Sequence, residues 1–169
     1  MTQNTHLLEI FLPKEQNTIS LGQDLAAAIT ALHPESCILL LQGELGAGKT
    51  TLIRGLIQGL PGGENAQVSS PSFNLVNDYP TSPRTLHLDL YRLSGMEAAE
   101  IFWENLSQEQ EPGIMVVEWS EHLPPEELPR QYLLFSLYRQ NHSRLLQITP
   151  FGLSLQPVVR NLAQKYNAE

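Results

Sequence analysis

The stretch GELGAGKTT, residues 43–51, follows the apolar run CILLLQ and precedes LIRGLIQGL. Three glycines fall within six residues there, and a lysine and two threonines follow at once. CILLLQG is a continuous apolar run of strand length, which predicts a strand in the middle of a sheet covered on both faces. Beyond the glycines, Leu52, Ile53, Leu56, Ile57 and Leu60 recur on one helical stripe. They predict a helix from Lys49 to about Leu60, stopped by GLPGG. Residues 43–50 fit G-x-x-x-x-G-K-[ST] in full, a match that composition alone produces in roughly one chain in a hundred. The setting between a buried-type strand and an amphipathic helix therefore decides its meaning. Glycines let main-chain N–H groups turn inward around a polyphosphate where a side chain would block the approach. The positive end of the helix adds to the attraction. Lys49 is then placed for the β and γ phosphates, and the Thr50 hydroxyl for Mg²⁺. The bland alternative is a glycine turn with a surface lysine.

A magnesium nucleotide needs an acid opposite Thr50, and two candidates stand further along the chain. PGIMVVEWSE holds a second buried run, residues 114–117, ending in Glu118. A carboxylate there emerges at the sheet's edge near the phosphates, so Glu118 is the expected magnesium-shell acid, directly or through a water. RTLHLDLYRL alternates in period two, with Leu86, Leu88 and Leu90 facing one way and His87, Asp89 and Tyr91 the other. Asp89 is the expected second acid, able to orient or deprotonate an attacking water. A surface carboxylate is the alternative for each. His87 reads as a structural histidine. Ser69, Ser70 and Ser72 flank Pro71 in the loop between the phosphate helix and the next strand; they read equally as a turn or as a loop sensing a γ-phosphate.

The remaining elements follow from pattern. HLLEIFLP, residues 6–13, reads as a first strand. Ser20 and Gln23 form a capping-box match opening a helix in LGQDLAAAITALHP that stops before Pro34. SFNLVNDY and RTLHLDLYRL, separated by PTSP, predict a hairpin. A helix is expected from about Met96 to Leu106, a closing hairpin from YLLFSLYR and RLLQITPF around QNHS, and a last short helix in PVVRNLAQKYN. The pattern is α/β, a mixed sheet with parallel strands in the centre and antiparallel additions.

With 169 residues and no internal repeat, the chain is expected to form a single domain, residues 1–169. No apolar run approaches the ~20 residues of a membrane-spanning helix, and the start lacks a basic n-region, so a cytoplasmic location is expected. Cys37 is the one cysteine, which excludes an intramolecular disulfide and a cysteine-based metal cluster. It reads as a small buried hydrophobe. The net charge of −8 is of the wrong sign for a chain that neutralises a nucleic-acid backbone by itself. Residues 93–129 carry nine acids and neither Lys nor Arg. They read as a solvated helix face, with a protein docking surface as the alternative.

Among phosphate-loop proteins, a GTPase is disfavoured because no Asn-Lys-x-Asp motif is present and Arg92 stands where Gly should follow Asp89. LSGM, residues 93–96, imitates the transporter signature for three residues only. A small-molecule kinase is the harder alternative, although no arginine-rich lid is evident. The blocks GELGAGKTTLIRGL, SSPSFNLVNDY, LHLDLYRL and VVEWSE, in that order over residues 39–121, resemble the TsaE (YjeE) family, the ATPase component of bacterial tRNA threonylcarbamoyladenosine biosynthesis. The resemblance implies a P-loop NTPase-like three-layer sandwich with a mixed, centrally parallel sheet. It implies ATP as substrate, bound by Gly43, Glu44, Leu45, Gly46, Ala47, Gly48, Lys49, Thr50 and Thr51, with Thr50 and Glu118 at Mg²⁺. Asp89 becomes a catalytic carboxylate. Ser72, where the family usually has Thr, keeps a hydroxyl and with it the role, and Arg144 matches an arginine of the closing hairpin that touches the nucleotide. Glu44 replaces the usual Asp and Asn74 a frequent Thr, and AAEIFWEN lacks the family's Leu-Gly. The implied partners are TsaD and TsaB, with tRNA contacted indirectly or weakly, and the implied role is to reset the modifying complex between turnovers. Two other classes compete: a phosphotransferase acting on a small molecule, with Asp89 as base, and a nucleotide-gated adaptor whose hydrolysis is incidental.

Overall fold

The computed structural model describes residues 8–34, 36–108 and 113–167. Seven strands form one sheet: β1 (Leu8–Leu12), β2 (Cys37–Gln42), β3 (Val76–Tyr79), β4 (Thr85–Asp89), β5 (Ile114–Glu118), β6 (Tyr132–Gln140) and β7 (Ser143–Phe151). Their spatial order is β1-β7-β6-β2-β5-β4-β3. The four middle strands run parallel, and antiparallel strands extend the sheet at both sides. The helices are α1 (Glu15–Leu32), α2 (Lys49–Gly59), α3 (Gly95–Leu106) and α4 (Gln156–Tyr166).

Burial explains the layering. In β2, Cys37, Leu39 and Leu41 pack with α1, α2 and α4, while Ile38 and Leu40 pack with α3 on the opposite face. A strand covered on both faces needs apolar residues at every position, which is why CILLL shows no alternation. The result is a helix–sheet–helix sandwich of P-loop NTPase type, with a centrally parallel mixed sheet. None of the described helices is long and apolar enough to cross a membrane.

α1 and α2 cross at glycines. A Cβ on Gly55 would lie 2.2 Å from the Ile19 carbonyl oxygen, and one on Gly22 would lie 2.4 Å from that of Leu52. The two backbones touch, which fixes the pitch of α2 and so the direction in which its first turn points.

Three expectations need correcting. α1 starts at Glu15, so Ser20 and Gln23 lie inside the helix and form no capping box. At the true start the Asn17 side-chain oxygen accepts from the Lys14 N–H at 3.1 Å. The earlier turn is held by tertiary contacts that a local pattern does not contain: Glu15 pairs with Arg54 at 3.5 Å, and Ile19 abuts Gly55. The extended segment expected from Ser72 is confined to Val76–Tyr79, because Leu75 takes a left-handed φ of 67° and its N–H turns back to the Pro71 carbonyl. β4 is shorter than RTLHLDLYRL and ends at Asp89, leaving Tyr91 in a turn, half-exposed against the Trp119 ring. His6 and Leu7, expected in the first strand, lie outside the described residues.

Candidate functional site

The β2–α2 connection is a loop whose main chain is shaped from both sides. Gly43 has φ 145°, and a Cβ there would meet the Leu137 carbonyl oxygen at 2.5 Å. Gly48 has φ 105° at the N-cap of α2, a conformation that side chains oppose. Within the loop the Ala47 N–H bonds to the Glu44 carbonyl at 3.1 Å. The first turn of α2 then presents N–H groups that have no intrahelical acceptor.

Lys49 is 4% exposed. Its ammonium donates to the carbonyls of Gly43 and Glu44, the latter at 3.0 Å, and lies 4.0 Å from the centre of the Trp119 ring. Burial holds its pKa below the ordinary lysine value, opposed by the carboxylates of Glu118, Glu121, Asp89 and Glu44. Arg144, from β7, donates to the carbonyls of Ala47 at 2.9 Å and Gly46 at 3.2 Å. Its guanidinium thus grips the outside of the loop while its side chain also lines the cleft. Glu121 accepts from the Gly43 N–H at 3.3 Å.

Strand register brings the acids to the same place. In the parallel β4–β5 pair, Asp89 stands beside Glu118 and His87 beside Val116. Val116 packs into the α2-side core, so His87, Asp89 and Glu118 also project toward α2. Thr50 reaches both carboxylate oxygens of Glu118, at 2.9 and 3.1 Å. His87 Nε2 meets Glu118 Oε1 at 2.8 Å. Asp89 is held by a different set: the Ser70 hydroxyl donates to it, and the Tyr91 N–H does so at 2.9 Å. All three side chains are buried, which differs from the half-exposed strand that the alternation in LHLDLY suggests.

A cleft of about 550 Å³ opens over these groups. It is lined by the loop from Leu45 to Thr51, by Ser70, Ser72, Asp89, Glu118 and Arg144, and also by Glu15, Thr18, Tyr91, Trp119 and His142. Of the candidate residues, Gly43 and Glu44 contact Lys49 through their carbonyls instead of lining this cleft. Ser70, not Ser72, bonds to Asp89. His87, Glu121 and Trp119 were not candidates. His87 left a local trace in its period-two relation to Asp89, and Trp119 and Glu121 stand within the block VVEWSE.

A hydroxyl and a carboxylate in contact form an all-oxygen donor pair. Mg²⁺ takes one or two such protein oxygens and completes its shell with water and phosphate, so the residues present fit it.

A glycine loop feeding a helix from a central parallel strand, with a strand-end acid on the first helical hydroxyl, defines a P-loop protein. The family model described as "Threonylcarbamoyl adenosine biosynthesis protein TsaE" matches residues 12–146. The chain belongs to the TsaE family, whose role lies in tRNA threonylcarbamoyladenosine biosynthesis. It is 40% identical over 159 residues to the tRNA threonylcarbamoyladenosine biosynthesis protein TsaE of a Nostoc species, covering 90% of this chain and 92% of that one. With the protein of that name from a Synechocystis species it shares 43% over 131 residues, 76% and 78% of the two chains. The crystal structure of Bacillus subtilis YdiB superposes with a TM-score of 0.73 at 23% identity, covering 97% of this chain and 99% of that one, a likeness of fold.

Proposed function

We propose that the chain is a Mg²⁺-dependent ATPase, one P-loop domain over residues 1–169, that supports tRNA threonylcarbamoyladenosine modification by acting with TsaD- and TsaB-type proteins in the cytoplasm. The observation that carries this reading is the convergence of Lys49, the Thr50–Glu118 pair and Asp89 on one cleft at the glycine loop.

The roles follow from chemistry. Main-chain N–H groups of residues 45–51 enclose the triphosphate, and the Lys49 ammonium, already desolvated, neutralises charge that builds on the β and γ oxygens. Thr50 and Glu118 would hold Mg²⁺, which would supply Lewis-acid charge to the triphosphate. Asp89 accepts a proton from water as the water oxygen bonds to the γ-phosphorus and the bond to the β-bridging oxygen breaks, releasing ADP and phosphate. Ser70 holds Asp89 from a loop whose Phe73 is 81% exposed, and Ser72 faces the same space. That anchorage supports slow turnover in isolation and acceleration when a partner sets the loop. Arg144 is the one arginine among the described residues lining the cleft, and its grip on the loop carbonyls leaves the phosphotransferase alternative without a lid cation. The net charge of −8 supports an indirect contact with tRNA.

The test is phosphate release from ATP by the protein alone, then with TsaD, TsaB and tRNA, each with Mg²⁺ or EDTA. A Mg²⁺-dependent rate that the partners raise is expected. A rate unchanged by partners that are modifying tRNA would refute the reading.

A further inference from the structure

Glu118 is held from two sides, and only one of them belongs to the glycine loop. Thr50 meets it from α2; His87 meets it from the neighbouring strand, below the cleft floor. His87 is 0% exposed and does not line the cleft, so it faces neither the cleft nor solvent. The β4–β5 register sets it one pleat behind Asp89, from which its ring reaches diagonally to Glu118 Oε1. That oxygen lies within hydrogen-bond distance of both His87 Nε2 and Thr50 Oγ1.

The other ring nitrogen gives the clue. Nδ1 is buried and has no hydrogen-bond partner among the described residues. Tyr79 stacks over the ring at 6.4 Å between centres. Were the position only core, a leucine or phenylalanine would fill it without an orphaned nitrogen, and buried polar groups that lack a partner call for an explanation. A donor aimed at a buried carboxylate supplies one: with its proton on Nε2, the ring donates to Glu118 and leaves Nδ1 as a bare lone pair.

We propose that His87 is a positioning residue, whose Nε2–H fixes the Glu118 carboxylate in the rotamer that faces Thr50 and the divalent cation. This rests on the reading of Glu118 as a magnesium-shell acid. Hydrogen-bonded partners of ligating carboxylates commonly change metal affinity by about 10- to 100-fold when removed.

The experiment titrates Mg²⁺, and separately Mn²⁺, into wild type and variants at fixed mant-ATP, reading nucleotide fluorescence, with a parallel titration in EDTA and a melting curve for each protein. His87→Leu removes the donor at similar volume. It should raise the half-saturating Mg²⁺ concentration by about 10-fold or more and leave metal-free nucleotide affinity unchanged. His87→Gln, whose amide reaches as far as Nε2, should return the value to within about threefold of wild type; His87→Asn, which stops short, should not. Should the leucine variant not fold, the glutamine–asparagine pair decides the matter. A half-saturating concentration the same in wild type, leucine and asparagine variants overturns the proposal, as does equal impairment of glutamine and asparagine. Glu118→Gln separates the two levels: if it too keeps wild-type Mg²⁺ dependence, the Glu118 reading fails, whereas if it alone is impaired, only the role of His87 fails.

Discussion

The two walls of the cleft are built differently. The glycine-loop wall is locked by main chain: α1 and α2 touch backbone to backbone at Gly22 and Gly55, Leu137 crowds Gly43, and Arg144 clamps two loop carbonyls. The facing wall rests on side-chain contacts joined by a few loop main-chain bonds: the Asp89 N–H donates to the Leu75 carbonyl at 3.0 Å, and the Leu75 N–H to that of Pro71. Ser70 reaches Asp89, Leu75 turns the chain through a left-handed φ, and Arg92 lies 4.4 Å from the centre of the exposed Phe73 ring. On the proposed reading, the difference lets one fold separate two tasks. A phosphate cradle must be complete before ligand arrives, since every N–H has to point at the same place, whereas a wall that positions an attacking water gains by being adjustable.

The comparison breaks most severely at the helix crossing. Gly55→Val would drive a branched side chain into the Ile19 carbonyl, which already stands 2.2 Å from where a Cβ would sit. A cost of about 3 kcal/mol or more is expected from such overpacking, read as a large drop in the melting midpoint with loss of nucleotide binding. Full stability in the valine variant would show that the helices part freely. Lys49→Ala strikes the same wall at the loop and leaves the helix crossing intact. Its mant-ATP affinity and turnover should fall by about 100-fold or more while the melting curve stays close to wild type. Near-normal nucleotide affinity would remove the lysine from the phosphate site.

On the adjustable wall the expected signature is the reverse. Asp89→Asn keeps the shape of the side chain and both of its neighbours, so nucleotide affinity should hold while phosphate release in the partner-stimulated reaction falls by about 100-fold. A matched loss of affinity and rate would assign Asp89 to binding. Arg144→Ala takes away two charge-assisted bonds to loop carbonyls, and an effect of about 10-fold on nucleotide affinity is expected, from a faster off-rate measured by competition with unlabelled ATP.

The sequence carried the locked wall further than the adjustable one. The cradle lies in a single run of nine residues whose glycine spacing, lysine and hydroxyl are contiguous, so local reading reached Lys49 and Thr50 together. Glu118 was legible from its place at the end of an apolar strand. The partner of Asp89 was not, because Ser69, Ser70 and Ser72 are equivalent as letters. The choice among them is made in three dimensions, where the loop that turns at Leu75 and is held by Asn77 through the Ser69 carbonyl sets the hydroxyl of Ser70 against Asp89. His87 escaped for a related reason: its bond to Glu118 depends on how β4 slides against β5, a register set 31 residues apart in the chain. The start of α1 failed because Ser20–Gln23 is a sound local signal that contacts with Gly55 and Arg54 override.

The smallest effect is predicted at Cys37, where β2 begins beneath the locked wall. Burial leaves the thiol 1% exposed and pushes its pKa up to about 12, from 9.0. At pH 8 only about one molecule in ten thousand then carries the thiolate, the form that reacts with disulfide reagents. The sign of the shift matters: burial favours the neutral thiol, so the residue stays unreactive while the strand is closed, and labelling requires it to open. If this wall opens only on global unfolding, Ellman's reagent at pH 8 should find no reactive thiol in the native protein, with or without ATP, and should find it in denaturant. Labelling of the native chain within minutes would mean that β2 separates from its neighbours while the protein stays folded, and the contrast between a fixed and an adjustable wall would be lost.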